Sequence, residues 1–562
     1  MSLLSRSQAL LLSTLALLIA APLALPVFSI FYLALFPSGN IWPHLFSTVL
    51  PHYLAQTSLL LAGVGFFTFL IGVTLAWLVT LHEFPGSRVW QWLALLPLAM
   101  PGYIIAYTYV DFFTYAGPVQ SALRQFFHWR APKDYYFPDI RSMGGAIFVL
   151  SFVLYPYVYI SARAAFLKLS QSQIDVARTL GKSPLNVALG IILPQARPAI
   201  VIGLTLVMME CLNDIGAVGF FGVQTLTLGI YTTWLGQGNL GGAAQLAFVM
   251  LLCVMALIVI ERQSRGRDQV MRIVQKPAAI VLQPLLGFRR WLAVIVMVMP
   301  IIAGFVLPAL ILLKHATRRL DSLMSAEFIS AMFHSLTLAG LACVLTILAG
   351  LVLAYANRLT KSFFVRVLTI FATLGYAIPG TVLGIGLIVP LGHFDNWLDA
   401  FMRSHFDFST GLLLSGSYAA LTFAFVARFL VMAHGTLDSG LQKITPNVDA
   451  VARTLGRNPL QVFLEIHLPL MRPAIMAGAL LVFVDAMKEL PATLIMRPFD
   501  FDTLATHVFT LASLDKLEDS AAPALAIVLA GLIPVILISK NLTNPSLERR
   551  HEMALSPRLE PL

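Results

Sequence analysis

Two stretches of this chain are near copies of each other: ARTLGKSPLNVALGIILPQARPAI, residues 177–200, and ARTLGRNPLQVFLEIHLPLMRPAI, residues 452–475. They begin at Ala177 and Ala452, and 16 of their 24 positions are identical. Each is a polar, basic interruption in a chain that is otherwise apolar. A long repeat of this kind predicts a protein built by duplication, in which one polar segment is used twice.

The composition indicates the class of protein. The chain has 562 residues, of which 58% are hydrophobic and 11% charged, with a mean hydropathy of +0.83. Soluble domains carry about a quarter charged residues, so the sequence predicts an all-α protein that crosses a membrane many times. The net charge of +10 is explained by basic cytoplasmic loops, and no nucleic-acid partner is expected.

Twelve apolar runs are long enough to cross about 30 Å of hydrocarbon as helices. The predicted spans are 8–35, 54–81, 89–112, 143–167, 194–221, 242–261, 291–315, 331–356, 365–392, 411–437, 470–497 and 521–539.

The basic residues give the orientation. With the N-terminus in the cytoplasm, the predicted inner loops and the two tails carry most of the Lys and Arg residues, as the positive-inside rule requires. The stretch 262–290, with Arg267, Arg272 and Lys276, is especially basic. Both termini and both copies of the repeat are therefore predicted to be cytoplasmic, and lipid surrounds the spans.

The duplication extends beyond the repeated segment. Pro101-Gly102 in the third predicted span matches Pro379-Gly380 in the ninth. We therefore predict two parallel six-span repeats, residues 1–275 and 276–562, around a central pathway. The Pro-Gly pairs predict bends, which are either packing bends or breaks that line the pathway.

Each repeated segment predicts a compact helix–turn–helix. A short helix ends at Gly181, a second begins near Pro184, and Pro194 marks entry into the next span. Two such platforms related by two-fold symmetry suit a two-fold symmetric partner.

The segment resembles the "EAA" loop of ABC importer permeases, in which Glu-Ala-Ala, three residues and Gly precede nine residues and Ile-x-Leu-Pro. Both copies fit the spacing from Gly onward, but the acidic position is Asp175 in one copy and Ala450 in the other, with Asp449 one place earlier. The resemblance covers residues 171–197 and 446–472, the coupling loops. It implies ATPase-coupling roles for Asp175, Ala177, Arg178, Gly181, Pro194, Asp449, Ala452, Arg453, Gly456 and Pro469. The alternative is an ordinary amphipathic surface helix.

The chain lacks its own phosphate-binding loop. Gly181-Lys182-Ser183 matches the end of the GxxxxGK[ST] pattern, but Val176 occupies the position of its first glycine. We expect no catalytic residues and no cofactor on this chain. ATP and Mg²⁺ are expected on a separate, homodimeric ABC ATPase at the cytoplasmic side.

Ionisable groups inside spans point to function. Glu210 and Asp214 lie four residues apart, as do Asp485 and Glu489, and the two pairs have the same sequence offset as the two copies of the repeat. The spacing predicts that each pair shares one helix face. Because hard trivalent cations prefer oxygen ligands, these four carboxylates are candidate transient metal contacts, and with Lys488 they are candidate substrate-pathway residues.

A structural interpretation of these carboxylates remains open beside the functional one. They could cap broken helices or form internal ion pairs with Lys488, Arg163 or Arg428. An organic cation would also be attracted by carboxylates, so charge alone does not name the substrate.

The stretch 488–506, which begins Lys-Glu-Leu-Pro-Ala-Thr, resembles the last third of ferric-iron ABC importer permeases, which are also fused duplicates of twelve spans. This implies the type I ABC importer permease fold in a bacterial inner membrane. It also implies a periplasmic iron-binding protein that delivers Fe(III), and alternating access driven by ATP. The alternatives are an ABC permease for thiamine or a polyamine, and an ion-coupled secondary transporter.

Overall fold

The computed structural model describes residues 6–36, 42–169, 171–266, 282–360 and 362–542. This part of the chain is almost entirely helical. The basic residues Arg267, Arg272 and Lys276 and the two terminal tails lie outside the described residues.

The first half forms thirteen helices within the described ranges. They are α1 (Arg6–Leu35), α2 (Trp42–Ser47), α3 (Val49–Leu81), α4 (Ser87–Leu93), α5 (Gly102–Phe113), α6 (Pro118–Phe127), α7 (Met143–Phe166), α8 (Gln171–Thr179), α9 (Pro184–Val187), α10 (Leu193–Asn213), α11 (Gly216–Phe220), α12 (Leu226–Tyr231) and α13 (Leu240–Gly266).

The second half forms twelve helices, α14 to α25, in the described ranges. They are α14 (Phe288–Ile301), α15 (Leu307–Arg318), α16 (Ala326–Thr360), α17 (Phe363–Ala372), α18 (Gly380–Phe406), α19 (Tyr418–Gln442), α20 (Pro446–Thr454), α21 (Pro459–Gln461), α22 (Leu468–Met487), α23 (Pro491–Met496), α24 (Leu504–Ser513) and α25 (Leu517–Leu542). The two-residue strands His82–Glu83 and Gln283–Pro284 pair in parallel.

The described residues contain ten helices long and apolar enough to cross a membrane. Two bent pairs raise this number to twelve when each pair is taken as one span: Ser87–Ala99 with Gly102–Phe127, bent by 91°, and Phe363–Gly375 with Gly380–Phe406, bent by 118°. The number of spans therefore agrees with the sequence prediction. Both breaks fall at the Pro-Gly pairs, where Pro101 and Pro379 are extended and the next helix starts at the glycine.

Equivalent helices pack together in the two halves. Helices α3, α7 and α10 form one group, and α16, α19 and α22 form its counterpart. Helix α1 crosses over and packs against α16, α17 and α18 of the second half. The two halves therefore share one interior.

Candidate functional site

The coupling loops fold as predicted into a short helix, a turn and a second short helix. Helix α8 is followed by Gly181, and helix α20 by Gly456, each glycine with a φ of +78°. This left-handed conformation suits glycine and ends the helix. A π-helical turn then leads into the next span in both halves, at Ala188–Ile192 and Val462–His467.

The residues of the coupling loops divide between an outer and an inner face. Asp175, Arg178, Gly181, Gly456 and Pro194 are exposed, and Pro469 is partly exposed. Ala177 and Ala452 are each only 3% exposed and hold the short helices against the rest of the protein. For Arg453 the structure describes only the backbone. Their coupling roles stay predictions.

Asp449 faces inward. Its Oδ1 lies 2.6 Å from His467 Nε2, and its Oδ2 accepts a hydrogen bond from Arg358 Nη2 at 2.9 Å. Arg358 also donates to the carbonyls of Leu441 and Ile444. Asp449 is 3% exposed, so its carboxylate anchors the second coupling loop from inside.

Sequence reasoning missed Arg358 and His467 as parts of this anchor. Within the repeat, His467 stands where the first half has Ile192, and Asp449 stands where it has Ile174. The replacement of two isoleucines by two polar residues could have indicated a polar contact between them. Arg358 gave no such signal, because 91 residues separate it from Asp449.

A cavity of about 100 Å³, the central cavity, is lined by residues of both halves, including Pro101 and Gly102 of the first break. All five predicted pathway residues line it: Glu210, Asp214, Asp485, Lys488 and Glu489. Pro101, Tyr103, Asn213 and Arg428 line it as well. Carboxylates of both halves thus line one cavity, and their role in a substrate pathway stays a prediction.

The prediction that each carboxylate pair shares one helix face is wrong. Helix α10 ends at Asn213 and α22 ends at Met487, so Asp214 and Glu489 lie beyond the helices. Each accepts a hydrogen bond from the backbone at the start of the next short helix: Asp214 Oδ1 from the Ala217 N–H at 2.6 Å, and Glu489 Oε1 from the Ala492 N–H at 3.0 Å. These contacts are helix caps.

Asp485 and Glu489 form ion pairs. Lys488 Nζ lies 2.7 Å from Asp485 Oδ1, and Arg428 Nε lies 2.9 Å from Glu489 Oε2. Arg163, the third candidate partner, instead donates to Gln91 Oε1 at 2.9 Å. The structure therefore shows the contacts that the structural interpretation expects: ion pairs at Asp485 and Glu489, and helix-start contacts at Asp214 and Glu489. A role of these residues in the substrate pathway stays a prediction.

The glycines of the two breaks let the carboxylates approach the backbone. A Cβ atom on Gly102 would lie 2.6 Å from Asp214 Oδ2, and one on Gly380 would lie 2.6 Å from Glu489 Oε1. The halves also touch directly here, because the Gly380 N–H donates to Asn213 Oδ1 at 2.9 Å.

The described residues contain no group of three or more His, Cys, Asp and Glu side chains that could hold a metal ion. The four carboxylates are thus dispersed around the cavity, rather than gathered into one metal centre. Their transient contact with a metal ion stays a prediction.

The chain matches a family model twice, at residues 69–265 and 346–540. The family is described as the binding-protein-dependent transport system inner membrane component. The chain belongs to this family. It is therefore an ABC transporter permease, a multi-pass inner-membrane subunit, and each match lies within one predicted repeat. The boundary at residue 275 itself stays a prediction.

Curated relatives of this permease include iron transporters. The chain is 26% identical over 501 residues to the Fe(3+)-transport system permease protein FbpB 2 of Haemophilus influenzae, covering 88% of this chain and 91% of the relative. It is 23% identical to the probable ABC transporter permease protein y4fN of Sinorhizobium fredii, covering 80% of each chain. A shorter match, 27% identical over 36% of this chain and 70% of the relative, is to the putative 2-aminoethylphosphonate transport system permease protein PhnU of Salmonella paratyphi A.

Proposed function

We propose that this permease moves Fe(III), delivered by a periplasmic binding protein, into the cytoplasm by alternating access. The observation that carries the proposal is the central cavity, lined by carboxylates from both repeats, in a chain similar over 88% of its length to a ferric-iron permease. Four carboxylates face two cations there, Arg428 and Lys488, and this balance favours a positively charged substrate.

The size of the cavity supports a small substrate. Its volume is about 100 Å³, below the roughly 150 Å³ of a cavity that holds benzene. A bare or sparsely liganded ion fits a cavity of this volume, whereas a molecule as large as thiamine requires a wider one.

The energy comes from a separate ATPase in this proposal. A homodimer would place one subunit against each coupling loop, and ATP and Mg²⁺ would be bound there. Exposed Asp175, Arg178 and Lys182 offer a contact surface on the first loop. This arrangement requires both coupling loops, and with them both termini, to be cytoplasmic.

Reconstitution of the permease with its ATPase in lipid vesicles tests the proposal. We expect Fe(III)-loaded binding protein to stimulate ATP hydrolysis and to drive iron uptake. Binding proteins loaded with thiamine, a polyamine or 2-aminoethylphosphonate serve as comparison arms. Stimulation by one of these and none by iron would overturn the iron assignment.

A second arm separates the ABC mechanism from ion-coupled transport. Vesicles that contain the permease alone, without ATPase, are given a proton or sodium gradient. We expect no accumulation of substrate, and accumulation under these conditions would overturn the ATP-driven mechanism.

A further inference from the structure

Tyr103 brings to the central cavity a hydroxyl group that the fold leaves without a partner. The residue is 5% exposed and lines the cavity, and its hydroxyl makes no hydrogen bond to the described residues. An unmade hydrogen bond at a buried donor destabilises a protein measurably, and such exceptions call for an explanation. The break between the two helices fixes the position of Tyr103, since this residue directly follows Pro101-Gly102 at the start of α5.

Two carboxyl groups lie near this hydroxyl. Asp214 and Glu489 both lie close enough to Tyr103 to interact with it electrostatically. Asp214 uses Oδ1 to cap α11, and its Oδ2 lies beside Gly102. Among the described residues, no Lys, Arg or His pairs with Asp214, whereas Arg428 pairs with Glu489.

The two halves differ at this point despite their common origin. When the two copies of the repeat are aligned, Arg428 and Lys488 correspond to the uncharged Val153 and Asn213 of the first half. The counterpart of Tyr103 after the second Pro-Gly pair is Thr381, whose hydroxyl is also buried without a partner. Thr381, however, is not among the residues that line the central cavity.

We infer that the first half receives the transported cation, through the Tyr103 hydroxyl oxygen and the Asp214 carboxylate. This inference rests on the proposed function, because it assumes a cationic substrate. Both groups supply the oxygen atoms that hard cations prefer. In the second half Glu489 pairs with Arg428 and Asp485 pairs with Lys488, whereas no Lys, Arg or His among the described residues pairs with Asp214.

The test compares Tyr103→Phe with Thr381→Val in the full complex with ATPase and Fe(III)-loaded binding protein. Each variant removes one buried hydroxyl at equivalent positions of the two halves. We expect Tyr103→Phe to lower iron uptake per ATP hydrolysed about tenfold, as for the loss of one contact to a charged group. Thr381→Val is expected to transport like the wild type, and the thermal unfolding midpoints of both complexes are measured alongside.

Asp214→Asn provides an independent variant that keeps the shape of the side chain. We expect it to lower iron uptake more than the double variant Asp485→Asn with Lys488→Gln, which removes a compensated pair from the other half. Equal uptake by Tyr103→Phe and wild type, or an equal loss in Thr381→Val, would overturn the inference while leaving the proposed function intact. If the wild-type complex does not respond to iron, the proposed function fails first, and the inference falls with it.

Discussion

Arg428 and Glu489 form an ion pair inside the membrane-spanning part of the permease, with 2.9 Å between Nε and Oε2 and each side chain only 5% exposed. Arg428 also donates to the carbonyl of Ile378, just before the second Pro-Gly break. The pair therefore joins α19, the break and the chain after α22. The first half has Val153 at the position of Arg428, so this connection exists in one half only.

Replacing one member of this ion pair should destabilise the permease more than replacing both. Arg428→Met leaves Glu489 as an uncompensated buried charge, which costs about 3–5 kcal/mol. The double variant Arg428→Met with Glu489→Gln removes both charges and should recover most of that loss. Unfolding of the purified permease in detergent, measured for both single variants and the double, gives the coupling energy. Additive losses would show that the two residues do not interact.

The spans and coupling loops could be predicted because a membrane restricts the backbone structures that can cross it. Backbone groups in hydrocarbon must be satisfied within helices, so apolar runs of about 20 residues identify the spans. The repeat then aligned the two coupling loops, and Gly181 and Gly456 marked where their short helices end. Apolar runs and helix-ending glycines are visible within short stretches of sequence, so they can be identified without knowledge of the tertiary structure.

The ends of α10 and α22 could not be predicted in the same way. The chain remains apolar through residues 215–221, so hydropathy extends the fifth span past Asp214. Helix α10 ends before Asp214, because the Asp214 carboxylate accepts a hydrogen bond at the start of α11. A continuous helix and a helix with a break have the same composition here, so composition does not distinguish them. The partner of Glu489 was equally open, since three basic residues were candidates and only tertiary packing selects Arg428.

The glycines at the two breaks should not tolerate a methyl group. Gly102→Ala and Gly380→Ala would each place a Cβ 2.6 Å from a carboxylate oxygen, of Asp214 and Glu489 respectively. We expect both variants to lose most transport, because the carboxylate or the break must move. Iron uptake in vesicles is the measurement.

Gly340→Ala is the matched control for these variants. Gly340 lies inside α16, and nothing lies within 4 Å of the position its Cβ would take. Alanine favours the helix over glycine by about 1 kcal/mol, so this variant should be at least as stable as the wild type and fully active. A similar loss of uptake in Gly340→Ala would indicate that the effect at the breaks is not specific.

Asn213 forms a contact between the halves that should influence how readily they separate. Its Oδ1 accepts a hydrogen bond from the Gly380 N–H, the first backbone donor of α18. Asn213→Ala removes this acceptor and should favour conformations in which the halves are apart. We expect higher ATP hydrolysis without binding protein and a smaller stimulation by it. Unchanged basal hydrolysis would show that the contact does not restrain the cycle.

The buried anchor of the second coupling loop should be needed for coupling rather than for ATP hydrolysis itself. Asp449 bonds to both Arg358 and His467, so Asp449→Asn weakens the connection between α20 and the spans without altering the exposed face of the loop. We expect the ATPase still to bind, with iron uptake per ATP hydrolysed reduced about tenfold, the effect of roughly 1.4 kcal/mol. Asp175→Asn in the first loop is the control for an exposed carboxylate, and it should instead weaken co-purification of the ATPase. If Asp449→Asn abolished ATPase binding while Asp175→Asn had no effect, the assignment of inner and outer faces would have to be reversed.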